Sequence, residues 1–211
     1  MGDATAVDLA TSNMAHAAKT GGDFELARRL LEQVVASTTA RGDLRGFAAA
    51  LNGLGDVAAS QGDHASARRY HHESLDKLRE IDDQWGIARV LSDLANVDLQ
   101  AGEYAQADGS IREALRVFRE LGHQRGVARQ LEALSWCASC QSRDEEGVML
   151  AAAAAAIRQR IAAPAKAEER ERIERTLSQA RQRISPDAYA RAWSEGQVAP
   201  LDRILGSETR R

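Results

Sequence analysis

The stretch GIARVLSDLANV, residues 86–97, has a counterpart forty residues before it and another forty residues after it. These counterparts are GFAAALNGLGDV, residues 46–57, and GVARQLEALSWC, residues 126–137. Each stretch opens with glycine, an apolar residue and alanine, and two leucines three residues apart follow. A period of this length is typical of stacked supersecondary units, because one unit cannot bury its apolar face alone. The sequence therefore predicts a repeat protein.

Each forty-residue unit is predicted to form two helices. In the second unit, Asp43 is suited to cap a first helix, and Gly62 offers the left-handed residue that ends one. Asp63 then caps a second helix, whose apolar stripe places His71 between the helices. The apolar residues of the first helix recur at spacings of three and four, at Phe47, Leu51, Leu54 and Val57.

The resulting fold class is all-α: a right-handed α-solenoid of four forty-residue helical hairpins with a C-terminal helical cap. The repeats are predicted to fill residues 1–163, and the capping helices residues 164–211. The echo stops at Ala163-Pro164, after which the pattern predicts a charged helix over 168–184 and a shorter one after Ser185-Pro186. The four repeats are expected at about 4–42, 43–82, 83–122 and 123–163.

Composition narrows the function classes. A net charge of −3 gives no electrostatic footprint for nucleic acid, and we expect no direct binding to it. No apolar run is long enough to cross a membrane. Residues 1–9 lack a basic segment followed by an apolar one, as a secretory signal requires, and two cysteines do not make a disulfide framework. We therefore expect a cytoplasmic protein.

The leucine pairs are followed by a small residue, and twelve positions further on by alanine or glycine. This pattern resembles the tetratricopeptide repeat (TPR), a helix-turn-helix unit of about 34 residues. The small residues are Gly55, Ala95 and Ser135, and the later positions are Ala67, Ala107 and Gly147. The resemblance implies a non-catalytic scaffold that binds proteins.

The C-terminal stretch AYARAWSEGQVAPLDRIL, residues 188–205, follows a small-residue helix, Pro164 and a Glu/Arg-rich helix. This arrangement resembles the TPR region of bacterial LuxR-type and other signal-transducing ATPase (STAND) regulators and of some nucleotide cyclases. The resemblance implies the regulatory or sensor arm of a bacterial signalling or transcription regulator. The chain contains no phosphate-binding G-x-x-x-x-G-K-[ST] loop of its own.

The TPR resemblance also implies a concave groove lined by the first helix of each unit. Two arginines forty residues apart would suit a carboxylate or an acidic peptide, and a tryptophan would supply an aromatic anchor. Alternatively, these side chains are simply solvated. The positions that match the groove are Asn52, Asp56, Arg89, Ser92, Asn96, Arg129, Glu132 and Trp136, with Ser12, His16 and Lys19 in the first repeat.

Two other functions stay open. One is a solenoid that senses a small ligand. The other is a redox or metal site at the C-x-x-C of Cys137 and Cys140, but in register this pair falls on a helix, away from the strand-to-helix turn that redox motifs use. No catalytic constellation is present, so we expect neither enzyme activity nor a cofactor or metal. The weak first repeat also suggests homodimerisation.

Overall fold

The computed structural model describes the backbone of residues 2–205 and the side chains of residues 4–205. This part of the chain is helical throughout and contains no strand. Its helices are Gly2–Thr20 (α1), Phe24–Arg41 (α2), Leu44–Ser60 (α3), His64–Glu80 (α4), Gln84–Ala101 (α5), Tyr104–Glu120 (α6), Gln124–Cys140 (α7), Asp144–Arg160 (α8), Ala167–Arg183 (α9), Pro186–Val198 (α10) and Leu201–Ile204 (α11).

The forty-residue echo has a direct structural cause. Asp43, Asp83 and His123 cap α3, α5 and α7 by accepting a hydrogen bond from the amide of the glycine three residues later, over 2.9–3.1 Å. These glycines also lie against the preceding helix. A Cβ on Gly86 would approach Leu78 to 2.6 Å, and one on Gly126 would approach Phe118 to 2.6 Å. The conserved spacing therefore reflects both a cap and a close helix contact.

The loops add a period of twenty residues. The backbone takes a positive φ once in each of the eight loops between α1 and α9, and glycine supplies it at five of them because it lacks a Cβ. Asp82, Ser142 and Ala162 take the same conformation with φ of 52°, 59° and 49°. The glycines are Gly22, Gly42, Gly62, Gly102 and Gly122.

The chain divides into two compact units, residues 1–103 and 104–211. Unit 1 contains α1–α5, in which successive helices pack on one another. Its core includes Leu31 from α2 and Leu51, Leu54 and Val57 from α3.

Unit 2 contains α6–α11. Here α7 packs on α8, and α9 and α10 both pack on α8. Gly196 of α10 lies so close to α8 that a Cβ there would come within 2.2 Å of the Met149 carbonyl oxygen. The small residues of α8 permit this approach, as their pattern indicates. The core joins Val148 and Ala151 to Leu177, Ala180 and Ala192.

The predicted fold class is confirmed: the protein is all-α and consists of consecutive helical hairpins. The helix predicted over 168–184 is α9, and Ser185 caps α10 by accepting from the Ala188 amide at 3.2 Å. The division into repeats over 1–163 and a cap over 164–211 stays a prediction, and residues 206–211 lie outside the described part of the chain. No helix among the described residues is both long and apolar enough to span a bilayer.

Candidate partner-binding groove

Five of the eight predicted groove residues lie in unit 1, on α3 and α5. Asp56 and Asn96 are partly exposed, and Arg89 is exposed. Asn52 and Ser92 are buried, with exposed fractions of 2% and 4%. The Ser92 hydroxyl donates to the Ala88 carbonyl oxygen at 2.7 Å, one helical turn back. The first three residues are therefore the ones that an incoming molecule can reach.

An ion pair links the first two hairpins of unit 1. Lys19 Nζ lies 3.3 Å from Asp56 Oδ2, so α1 is held to α3. Both side chains are partly buried, with 20% and 35% of their surface exposed. Two cavities, of about 230 and 280 Å³, share these residues in their walls.

The smaller cavity, which we call cavity A, has an apolar wall and a basic one. Leu9, Leu31 and Val57 supply apolar surface, while His16, Lys19 and Arg89 carry the basic groups. Arg89 forms no ion pair with any described residue. A guanidinium presents five N–H donors in a planar fork that matches a carboxylate. Cavity A can therefore bind an acidic group next to an apolar side chain.

The larger cavity, which we call cavity B, is more polar and is lined by Asp56, His71, Asp93, Asn96 and Gln100, together with Lys19, Ala59, Ser60 and Val97. Asn52 lies behind it and bridges two of these residues. Its amide nitrogen donates to Asp93 Oδ2 at 3.0 Å, and its carbonyl oxygen lies 3.0 Å from His71 Nδ1.

His71 is buried, with 1% of its surface exposed. Burial lowers the pKa of its imidazole to about 4, against the favourable field of Asp56. The ring is therefore neutral at pH 7. Gly55 gives it space, since a Cβ there would come within 2.5 Å of the ring.

The other three predicted groove residues lie on α7 in unit 2, and there the protein's own side chains contact them. Glu132 is buried, and Arg158 of α8 forms a bidentate ion pair with it: Nε and Nη2 each donate to a carboxylate oxygen at 2.8 Å. The hydrogen bonds to Glu132 raise the pKa of Arg158. Glu132 is therefore used inside the protein.

Side chains of helix α9 contact the remaining two residues, which are partly exposed. Glu169 lies 3.8 Å from Arg129 and 3.3 Å from Arg158, and it also accepts from the Lys166 amide at the start of α9. The guanidinium of Arg172 lies over the ring of Trp136, 5.1 Å from its centroid. Burial lowers the pKa of Arg172. In unit 2 a glutamate thus satisfies an arginine that the sequence placed in the groove.

The C-x-x-C pair lies in the last turn of α7. Cys137 is buried, and Gln141 Nε2 lies 3.2 Å from its sulfur; Cys140 is exposed. Burial raises the pKa of the Cys137 thiol. A redox nucleophile needs a lowered thiol pKa, which a helix N-terminus would favour. No cluster of three His, Cys, Asp or Glu side chains that could hold a metal occurs in the described part of the chain.

Sequence reasoning did not identify His71 as a site residue. The sequence did contain a signal, because His71 is polar whereas the equivalent positions of the other three forty-residue repeats hold apolar residues, Leu31, Ile111 and Ala151. It also missed Arg158, Glu169 and Arg172, which come from outside the first helices. Nothing in the repeat pattern marks these residues.

Comparisons with known proteins agree with this architecture. Residues 46–120, just over a third of the chain, match the tetratricopeptide repeat family model. Among solved structures, that of the nearly identical TPR-like repeats of a candidate kinesin light chain from Podosopora anserina matches with a TM-score of 0.66 at 14% identity. A single-substitution variant of those repeats has a TM-score of 0.68 at 14% identity, and in both cases 96% of each chain is covered.

At this identity the likeness concerns the fold alone. No curated protein sequence matches the chain significantly. TPR arrays generally mediate protein–protein interactions and are typically non-catalytic scaffolds, because stacked hairpins create extended binding surfaces. The chain is therefore similar to tetratricopeptide-repeat proteins in its matched stretch and in its fold.

Proposed function

We propose that the protein is a non-catalytic interaction module that binds an acidic segment of a partner protein at cavity A of unit 1. The observation that carries this proposal is the state of Arg89, which is exposed, lines cavity A and has no ion-pair partner among the described residues. The same walls hold His16 and the ion pair of Lys19 with Asp56.

Unit 2 supplies the argument for a carboxylate. Arg129 is the equivalent of Arg89 forty residues later, and its partner is the carboxylate of Glu169. The scaffold thus places a glutamate from its own chain 3.8 Å from one of the two arginines. A glutamate or aspartate from another protein would satisfy the other through a charge-assisted hydrogen bond.

A peptide-library selection against the full chain tests this function. The selected peptides would be measured by fluorescence anisotropy with the wild type, Arg89→Ala and Arg129→Ala. We expect peptides enriched in Asp and Glu, a loss of about tenfold in affinity for Arg89→Ala, which is about 1.4 kcal/mol, and less than about twofold for Arg129→Ala. Equal losses for both variants, or none for Arg89→Ala, would reject cavity A as the binding site.

We further propose that the module is the regulatory arm of a bacterial signalling or transcription regulator. The resemblance of residues 188–205 to the TPR regions of such regulators supports this context. The genomic reading frame and its neighbours test it: an ATPase or cyclase domain joined to this segment is expected. A frame that encodes no such domain and has no regulator beside it would contradict the proposal.

A small-ligand sensor is the second candidate, and one observation favours it. Unit 2 contains a cavity of about 450 Å³, a volume in the range of small-molecule sites. Five alanines line it together with Gln159, Pro164, Ile173 and Trp193, and the ion pair of Glu132 and Arg158 lies at one side. A neutral, apolar ligand would therefore fit it.

A thermal-shift screen of small apolar compounds tests the sensor. Ligand binding should raise the melting temperature with concentration, and Ala155→Phe, which adds volume at the cavity wall, should abolish the rise. A rise that survives in Ala155→Phe would place binding elsewhere.

The expected homodimer would use the first helix. Val7, Leu9 and Met14 of α1 are each more than half exposed, which supports an apolar contact between copies. Sedimentation equilibrium of the wild type and of Leu9→Glu tests this: a dimer that the variant disrupts is expected, and a monomer at all concentrations contradicts it.

A further inference from the structure

We propose that cavity B of unit 1 is a binding site for a primary ammonium group, with His71, Asp56 and Asp93 as its hydrogen-bond acceptors. Its ligand chemistry is opposite in charge to that of cavity A. The inference therefore does not depend on the binding of an acidic segment at Arg89.

His71 departs from the repeat pattern. At the equivalent positions of the other three forty-residue repeats, Leu31 and Ile111 are fully apolar and Ala151 is small and buried. Placing an imidazole in such a core position is costly unless its polar atoms are satisfied. Gly55 leaves space for the ring because it has no side chain, whereas the third and fourth forty-residue repeats carry Ala95 and Ser135 at this position. A local departure from a repeated pattern, with a matching accommodation, is typical of a functional site.

The hydrogen bonds determine which nitrogen of His71 carries the proton. The carboxylate of Asp93 accepts, so Asn52 must direct its NH₂ group there and turn its carbonyl oxygen to the histidine. His71 Nδ1–H then donates to that oxygen over 3.0 Å. Nε2 keeps a lone pair, and no described residue hydrogen-bonds to it. The ring lines cavity B, so this buried acceptor is available there.

Burial supports the same assignment. It lowers the pKa of His71 to about 4, so the lone pair is not lost to protonation at neutral pH. A neutral imidazole acceptor beside two carboxylates presents three acceptors to one cavity. Lys19 also lines this cavity and forms an ion pair with Asp56.

A primary ammonium group matches this set because it has three N–H donors and a positive charge. The N–H donors of an ammonium group form hydrogen bonds of about 2.8–3.0 Å, and no group of three His, Cys, Asp or Glu side chains that could hold a metal occurs among the described residues. Ala59 and Val97 supply apolar wall for an alkyl chain, and about 280 Å³ accommodates a short one. The ammonium can come from a free small amine or from a lysine side chain of a partner.

The direct test is ¹⁵N NMR of the histidine side chains in the full chain, titrated with n-butylammonium chloride. His71 should show the Nδ1–H tautomer, and its Nε2 resonance should move saturably as it accepts a hydrogen bond. Tetramethylammonium, which has the charge but no N–H, should leave the resonance unmoved. An Nε2–H tautomer, or an equal response to both cations, would overturn the proposal.

Two variants identify the residue responsible. His71→Leu gives the second forty-residue repeat the leucine that the first repeat has at position 31. This variant should reduce the affinity for n-butylammonium at least tenfold, measured by calorimetry. His72→Leu changes the adjacent, exposed histidine and should bind as the wild type does. Unchanged binding by His71→Leu would exclude cavity B.

The source of the ammonium is separated by a second ligand. Nα-acetyl-lysine N-methylamide carries the same ammonium group, at its Nζ, on a peptide backbone. If it binds more tightly than n-butylammonium, cavity B takes a lysine from a partner protein; if only the free amine binds, the cavity takes a small molecule. If neither ligand binds, the proposal is contradicted, and the peptide-binding measurement with Arg89→Ala remains an independent test of cavity A.

Discussion

The predicted groove positions on α3 and α5 of unit 1 are equivalent in the repeat to those on α7 of unit 2, but their side chains are paired in unit 2 and in part accessible in unit 1. On α7, Glu132 is bound by Arg158, and α9 places Glu169 on Arg129 and Arg172 on Trp136. On α3 and α5, the equivalent region keeps two cavities and an arginine without an ion pair among the described residues. The same repeat can therefore close its polar face with its own charges or leave it available to a ligand.

The largest difference is expected at the buried pair of unit 2. Glu132→Ala should lower the free energy of unfolding by about 3–5 kcal/mol, because it leaves the Arg158 guanidinium without its bidentate partner. Urea unfolding followed by circular dichroism measures this effect. Glu120→Ala breaks an exposed pair with Arg116 and should cost at most about 0.5 kcal/mol. Equal costs would mean that unit 2 is not closed by this pair.

The next effect belongs to unit 1 and depends on pH. His71 has a pKa of about 4 in the folded state and about 6.5 when unfolded, so the unfolded chain binds more protons between these values. Stability should therefore fall as pH decreases from 6.5 to 4, by about 3 kcal/mol from this residue. Asp56 and Asp98 favour its protonation, whereas His72 and Arg89 oppose it.

Urea unfolding at pH 7, 5.5 and 4 checks that expectation. His71→Leu should lose this part of the pH dependence while His72→Leu keeps it, so the carboxylates that titrate in the same range cancel in the comparison. Identical pH profiles for the wild type and His71→Leu would show that His71 is not buried as a neutral ring.

A smaller effect tests the space beside His71. Gly55→Ala should destabilise the protein by about 1–3 kcal/mol, because the added methyl group overlaps the imidazole. Gly109 of α6 is a helical glycine, and a Cβ there would meet no atom within 4 Å beyond its own stretch of helix. Gly109→Ala should therefore stabilise the folded protein by up to about 1 kcal/mol. Thermal unfolding distinguishes the two signs, and a stabilising Gly55→Ala would contradict the packing.

The smallest effect separates the two equivalent arginines. Arg129→Ala removes a partly exposed ion pair at 3.8 Å and should cost less than about 1 kcal/mol, while Arg89→Ala removes no such pair and should leave stability unchanged. Matched urea unfolding of the two variants measures the difference. A larger cost for Arg89→Ala would mean that Arg89 has a structural partner.

Much of the fold could be predicted because its causes are local. Gly86 marks both a capped helix start and the closest approach of the preceding helix, and the same pair of causes recurs forty residues later at Gly126. The break after Pro164 and the cap at Ser185 are also local signals. Helix type and helix ends therefore follow from the sequence directly.

The state of the site could not be predicted in the same way. The TPR resemblance placed Glu132 in the groove, but Arg158, twenty-six residues away on another helix, binds it inside the protein. Periodicity placed His71 between helices, but only the orientation of Asn52 shows which ring nitrogen is left for a ligand. Both depend on side chains that meet across helices, and the repeat does not encode them as a pattern.

The difference in solvent accessibility between Arg89 of unit 1 and the buried Arg158 of unit 2 can be measured without knowing any partner. Reaction of the native chain with an arginine-specific dicarbonyl, followed by peptide mass spectrometry, reports how accessible each guanidinium is. Arg89 should react at the rate of exposed Arg116, while the buried Arg158 should react only after unfolding. An Arg89 as slow as Arg158 would contradict the account.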